Sequence, residues 1–255
     1  MAFLTLGDGR IEYERFDADR GSDGHALVML HEGLGSVSLW KDFPQRLAQA
    51  TRRGVIVYSR PGFGKSAPVQ QPRTVRYMHE EALVVLPQVL DALDVEKPIL
   101  FGHSDGGSIA LIHAGGSSRP VGGVVTLAPH VFVEDVSVTS IAATKVAYKT
   151  TNLREKLARH HDDVDRVFWG WNDMWLSEDF RAWNIEEYLP RIRCPILAIQ
   201  GAEDEYGSME QIRRIERAAA RVEMLCLADC RHSPHRDQPQ RVLEAVARWV
   251  STLAV

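Results

Sequence analysis

The sequence predicts an α/β protein: a mostly parallel central sheet flanked by helices, with an N-terminal antiparallel hairpin and a helical cap. Three observations carry that prediction. Short apolar runs alternate with segments of helical periodicity, the pattern of strands that need covering on both faces. Two more polar stretches near the start flank Gly7-Asp8-Gly9, as hairpin strands flank a turn. The stretch 130–191 carries no strand signal although strand-like runs lie on either side of it. The 255 residues, 45% hydrophobic and 25% charged, suffice for a sizeable core and exclude disorder and disulfide scaffolds. With 30 Lys and Arg against 34 Asp and Glu, the formal charge of -4 offers no broad attraction for nucleic acid or acidic lipid.

Taken in order, the hairpin strands are 3–6 and 11–16, and the buried strands are 26–30 (ALVML), 54–58 (GVIVY), 98–101 (PILF), 121–127 (VGGVVTL), 195–200 (PILAIQ) and 222–227 (VEMLCL). Several lack alternation, as strands covered on both sides do. Ala82, Val85, Leu86, Val89, Leu90 and Leu93 recur at helical spacing, with Pro87 expected to kink that helix or mark its start. Val242, Leu243, Val246 and Val250 lie on one face of a last helix within 239–250. Segment 130–191 holds Trp169, Trp171, Trp175 and Trp183, four of the six tryptophans, and reads as a cap inserted into one domain spanning 1–255. No apolar run approaches the roughly 20 residues that span a bilayer, and MAFLTLGDGR lacks the basic head and apolar stretch of a signal peptide. The odd number of cysteines (Cys194, Cys226, Cys230) predicts reduced thiols and a cytoplasmic setting.

The strand 98–101 runs into Gly102-His103-Ser104-Asp105-Gly106-Gly107 and then the apolar SIALIHA, which is G-x-S-x-G between a strand and a helix. Such a turn is too tight for side chains at the glycine positions. It projects the serine hydroxyl above the sheet at a helix N-terminus, where the dipole favours a developing anion. A serine hydroxyl becomes a good nucleophile only when an imidazole takes its proton, and a carboxylate fixes that imidazole's tautomer.

At these residues the sequence resembles the α/β-hydrolase family, and the resemblance runs over nearly the whole chain, weakest through 130–190. It implies a triad in the order Ser, acid, His: Ser104 as nucleophile, Asp204 in Gln200-Gly201-Ala202-Glu203-Asp204 as acid, and His232 in Cys230-Arg231-His232-Ser233-Pro234-His235 as base. The alternatives are Glu203, or Glu134 or Asp135, for the acid, and His235 for the base. Arg231 stands where the family commonly has glycine. For the oxyanion hole the resemblance implies the amide of Asp105 and the loop His31-Glu32-Gly33-Leu34-Gly35-Ser36, with Gly33 and Leu34 as donors and Glu32 in place of the usual glycine.

Trp169, Trp171 and Trp175 are candidates to wall an apolar substrate pocket, although packing of the cap accounts for the same rings. Lys149, Arg154, Lys156 and Arg159 form a basic stretch that reads as a solvated helix face. Gly62-Phe63-Gly64-Lys65-Ser66 lacks the first glycine of a phosphate loop, and Cys226, Cys230 and His232 do not make a four-ligand zinc site. The expected function is therefore hydrolysis of a small carboxylic ester, thioester or lactone through an acyl-enzyme. No cofactor, metal, nucleic acid or membrane partner is expected, and a homodimer is compatible. Other readings are a carbon–carbon bond hydrolase of ring-cleavage products, a cofactor-free haloperoxidase or perhydrolase, and a hydrolase-fold small-molecule receptor.

Overall fold

Eight segments pair edge to edge because each must satisfy its backbone groups, and the five central ones are buried on both faces. In the computed structural model, which describes residues 2–7, 9–17, 25–69 and 72–253, they are β1 (Ala2–Leu6), β2 (Gly9–Phe16), β3 (Leu27–Leu30), β4 (Val55–Tyr58), β5 (Ile99–His103), β6 (Gly123–Leu127), β7 (Ile196–Gly201) and β8 (Val222–Leu227). They form one sheet in the order β1-β2-β4-β3-β5-β6-β7-β8. β1 pairs antiparallel with β2, and β2 antiparallel with β4; every later pair is parallel. The hairpin closes at the Leu6–Gly9 pair, with Gly7 at φ 53°; Asp8 of the expected turn lies outside the described residues.

The helices are α1 (Phe43–Thr51), α2 (Tyr77–Glu80), α3 (Leu86–Ala92), α4 (Asp105–Gly116), α5 (Asp135–Thr150), α6 (Leu153–Ala158), α7 (Val164–Trp175), α8 (Glu210–Ala218), α9 (Pro234–Asp237) and α10 (Pro239–Ser251). The two-residue period of each strand divides the core. Leu27, Met29, Val55, Val57, Ile99 and Phe101 pack with α1 and α10, while Val28, Leu30, Ile56 and Leu100 pack with α3, α4 and α8 on the opposite face. Pro87 does interrupt its helix, in a specific way. A π-helical turn over Glu81–Val85 joins α2 to α3 and places the proline in the first turn of α3, and the carbonyl of Ala82, five residues before it, bonds instead to His113 Nδ1 at 2.7 Å.

Between β6 and β7 the chain builds α5, α6, α7 and two 3-10 turns, Asp179–Ala182 and Glu186–Arg191. One isolated antiparallel bridge, Phe132 with Asn184, ties the ends of this segment together. The glycine-rich loop after β4 spends its polar groups on the protein itself: the buried Glu12 accepts from Ser59 Oγ at 2.7 Å and from the Lys65 amide at 2.9 Å. Among the described residues no helix is long and apolar enough to cross a membrane. All three cysteines are free thiols.

The order β4-β3-β5 means that the chain leaves β3 in one direction across the sheet and, after β4, returns to its other side. Crevices form at such reversals, beyond the carboxyl ends of the strands. The loops after β3 and β5 meet there.

Candidate active site

β5 ends at His103, and Ser104 turns the chain into α4 with φ 52° and ψ -119°, a conformation unfavourable for any residue with a Cβ. Neighbours hold it there: the Ser104 amide donates to Leu127 O at 2.9 Å, and Ser104 O accepts from Gly107 N at 2.8 Å. The turn also requires glycine two residues on, since a Cβ on Gly106 would lie 2.0 Å from Leu30 O. Ser104 borders a cavity of about 410 Å³, within the range for a small-molecule site.

The loop after β8 brings His232 to the wall of that cavity, and the loop after β7 brings Asp204 against the His232 ring. His232 Nδ1 lies 2.8 Å and 3.0 Å from the two Asp204 oxygens. The carboxylate also accepts from the amides of Tyr206 at 2.8 Å and Gly207 at 3.2 Å and from Gln200 Nε2 at 2.7 Å. Burial alone would raise the Asp204 pKa, but the His232 ring and the Tyr206 amide bring it below the ordinary carboxylate value. An imidazole whose Nδ1 is committed in this way offers its Nε2 as the base. Ser104 and His232 line the same cavity, with no hydrogen bond joining them among the described residues; such contacts often close only around a substrate.

The other candidates sit elsewhere. Glu203 is exposed, Glu134 binds Ser208 and Gln211, and Asp135 pairs with Arg181. His235 is 4% exposed and packs its ring against Trp40 at 4.8 Å, and burial holds its pKa well below the usual histidine value.

Gly33, Leu34 and Asp105 border the cavity beside Ser104. None of their amides donates to a backbone carbonyl among the described residues, as amides reserved for a ligand must not. A Cβ on Gly33 would lie 2.1 Å from Trp171 Nε1, so only glycine fits under that indole. The loop is tied from above as well: His161 Nε2 donates to Leu34 O at 2.9 Å while its Nδ1 accepts from the Gly64 amide at 2.9 Å. Trp171 and Trp175 line the cavity with Ile141, Thr144 and Leu157. Trp175 Nε1 donates to Tyr77 Oη at 3.1 Å, and that hydroxyl donates to Asp105 Oδ2 at 2.6 Å, drawing the Asp105 carboxylate toward Arg60. Trp169 stands apart, half-buried against Phe168 with Lys145 and Lys149 over its ring. Arg154 of the basic stretch pairs with Asp165 on the outside of the same segment.

Two residues of this site, His130 and Glu205, carry no signal of their own in the sequence, and Glu32 shows there only as a departure from the family's usual glycine. His130 follows β6 and lines the cavity; Ser108 Oγ donates to its carbonyl at 2.6 Å and accepts from its amide at 3.2 Å. Its ring meets Trp175 edge-on at 4.9 Å, and burial pulls its pKa down to about 3, so it is a neutral imidazole. Glu32 and Glu205 also line the cavity, paired with Arg236 at 3.3 Å and Arg231 at 3.1 Å. Both guanidiniums of the cavity wall thus already have carboxylate partners.

The sequence pattern of the "Alpha/beta hydrolase family" matches residues 27–245. A 2-hydroxy-6-oxononadienedioate/2-hydroxy-6-oxononatrienedioate hydrolase of Cupriavidus pinatubonensis is 31% identical over 127 residues, which is 49% of this chain and 43% of that enzyme. The chain therefore matches less than half the length of that curated relative. Among solved structures, a proline iminopeptidase of Mycobacterium smegmatis superposes with TM-score 0.79 at 17% identity, covering 98% of this chain and 97% of that one. The enol-lactonase of Burkholderia xenovorans LB400 superposes with TM-score 0.76 at 18% identity, over 98% and 100%. At these identities the likeness is one of fold. With the family pattern extending from β3 into α10 and both loops of the site inside it, the chain belongs to the alpha/beta hydrolase family.

Proposed function

We propose that the protein is a serine hydrolase that cleaves a carboxylic ester, thioester or lactone of a small, uncharged and largely apolar molecule. The observation that carries this reading is the Asp204–His232 pair at the wall of the cavity that Ser104 enters on its strained turn. Ser104 Oγ attacks the carbonyl carbon as His232 Nε2 takes its proton, and the charge on the carbonyl oxygen falls to the free amides of Asp105 and Gly33 or Leu34. The tetrahedral adduct expels the alcohol, thiol or lactone oxygen, which leaves with the proton from His232. Water repeats the cycle on the acyl-enzyme and releases the acid. Segment 130–191 serves as the cap, with Trp171 and Trp175 against the acyl group. The prior pairing of Arg231 and Arg236 supports an uncharged substrate.

A second reading, carbon–carbon cleavage, has one specific observation in its favour: the 31% identity, over about half of the chain, to a hydrolase named for 2-hydroxy-6-oxononadienedioate and 2-hydroxy-6-oxononatrienedioate. One experiment separates the two and tests both. Purified protein is assayed with p-nitrophenyl acyl esters, aryl lactones and a vinylogous diketone, beside Ser104→Ala. Ester turnover lost by about 10⁵-fold or more in Ser104→Ala is the expected result. Faster turnover of the diketone moves the assignment to carbon–carbon cleavage. Undiminished turnover in a folded Ser104→Ala protein removes the serine mechanism, and a single turnover without release points to a receptor.

A further inference from the structure

The Ser104 turn has a second imidazole directly before it. His103 Nε2 lies 2.8 Å from the carbonyl oxygen of His232, and its Nδ1 lies 3.5 Å from Glu32 Oε2. A carbonyl oxygen only accepts, so Nε2 must carry a hydrogen. In a neutral ring Nδ1 is then a bare lone pair, and it faces a carboxylate oxygen across 3.5 Å. Two acceptors facing each other at 1% exposure on the histidine side repel unless a proton stands between them. We propose that Glu32 and His103 hold one proton between them, as an ion pair, and act as a positioning couple for His232; the proposal rests on the assignment of His232 as the catalytic base.

The surroundings are built for such a pair. A Cβ on Gly35 would lie 2.4 Å from Glu32 Oε2, so the glycine makes room for the carboxylate to fold back over its own loop. Burial by itself would raise the Glu32 pKa; the His103 ring and Arg236 bring it well below the carboxylate range. From α9, Arg236 and the neutral His235 face the couple, and His232 stands 5.2 Å from His103 between ring centres. From the other sides stand the neutral rings of His31 and His130 and, at the end of α6, His160 and His161. Only Arg236 among these adds a fixed charge, and it lies against Glu32.

The couple joins the three segments on which catalysis depends: the loop after β3 through Glu32, the serine turn through His103, and the late histidine loop through the His232 carbonyl. Glu205 completes the hold by accepting the His232 amide at 3.2 Å. The base is thus fixed at its ring by Asp204 and at its backbone by His103 and Glu205. A misplacement of such a group by about 1 Å costs about 100-fold in rate.

The test uses the whole protein and an ester it turns over. Glu32→Ala and His103→Phe are expected to lose about 10- to 100-fold in kcat; KM should change little in His103→Phe, whereas Glu32→Ala also unmasks Arg236 at the cavity wall. Glu32→Gln and His103→Gln should recover most of that loss, because an amide N–H replaces the missing hydrogen at each place. Nitrogen-15 NMR of histidine-labelled protein at pH 7 reads the proton directly. The His103 signals, identified by their absence in His103→Gln, should show both ring nitrogens protonated in the wild type and Nδ1 bare in Glu32→Gln. A bare Nδ1 in the wild type, or Glu32→Ala with wild-type kcat, overturns the proposal. Should Glu32→Ala fail to fold, the spectra of the wild type and Glu32→Gln decide alone. An active Ser104→Ala would instead strike the serine mechanism, and the NMR result on the resting protein would stand apart from it.

Discussion

At position 33 the chain has room for no side chain, because the Trp171 indole nitrogen occupies the place of a Cβ. Gly33→Ala must therefore push Trp171 away or tilt the loop that borders the cavity beside Ser104. The expected result is a fall of about 10- to 100-fold in kcat/KM for an ester substrate with the thermal midpoint moved by a few degrees at most. Unchanged kinetics would show that the Gly33 loop does not hold the oxyanion. At this scale the sequence was informative where a residue sat inside a local pattern. Ser104 lies in G-x-S-x-G, and Asp204 and His232 follow β7 and β8 in the order the family resemblance supplies. His130 is one of ten histidines with no local pattern, and its place is set by Ser108, 22 residues away, clasping its backbone. Glu32 and His103 are both visible in the sequence; that they face one another follows only from the adjacency of β3 and β5.

The element that does most to shape the site is the junction of β5 and α4. Its helix is packed so closely under the end of β3 that Gly106→Ala would bring a methyl group to 2.0 Å from the Leu30 carbonyl oxygen, and a backbone atom cannot rotate aside. Calorimetry or urea unfolding should show a loss of about 3 kcal/mol or more, with activity lost in step. A wild-type melting curve would mean that the junction yields more easily than its packing implies. The strands were legible because each is a short apolar run bounded by turn residues, and the observed ends differ from the expected ones by a residue or two. The π turn of Glu81–Val85 was not: Pro87 announces an interruption, but how the helix absorbs it depends on what packs around Ala82 and Leu86. The interval 130–191 showed its helical character and not its inner face, so Trp169 and Trp171 looked alike until packing sent one to Lys145 and the other to Gly33.

For the molecule as a whole, buried histidines set the response to acid. His31 accepts the Arg60 amide at Nε2 and donates from Nδ1 to Glu32 O, a pattern that admits no second proton. Burial, before any charge, holds His31, His130 and His235 below the ordinary value of 6.5, His130 down to about 3. Their folded pKa values lie under the unfolded ones, so the unfolded chain binds more protons below pH 6.5 and stability falls as pH drops. His130 alone, with its pKa at about 3, costs about 1 kcal/mol between pH 6.5 and 5.5, and His31 and His235 act in the same direction. Urea unfolding at pH 7.5 and 5.5 checks the sign and the size, and equal midpoints would contradict it. The Asp204 carboxylate acts in the same direction at lower pH, where protonating it releases His232.

The matching of each cavity-wall guanidinium with its own acid has an evolutionary consequence. Glu205 neutralises Arg231 from a loop position whose side chain is otherwise needed only for one amide contact. Exchange of that single codon for the amide, Glu205→Gln, would unmask a cation at the cavity wall while keeping an acceptor for the His232 amide. Preference for neutral or acidic molecules is in that sense a tunable trait of this scaffold, adjustable at the doorway while the chemistry inside stays inherited.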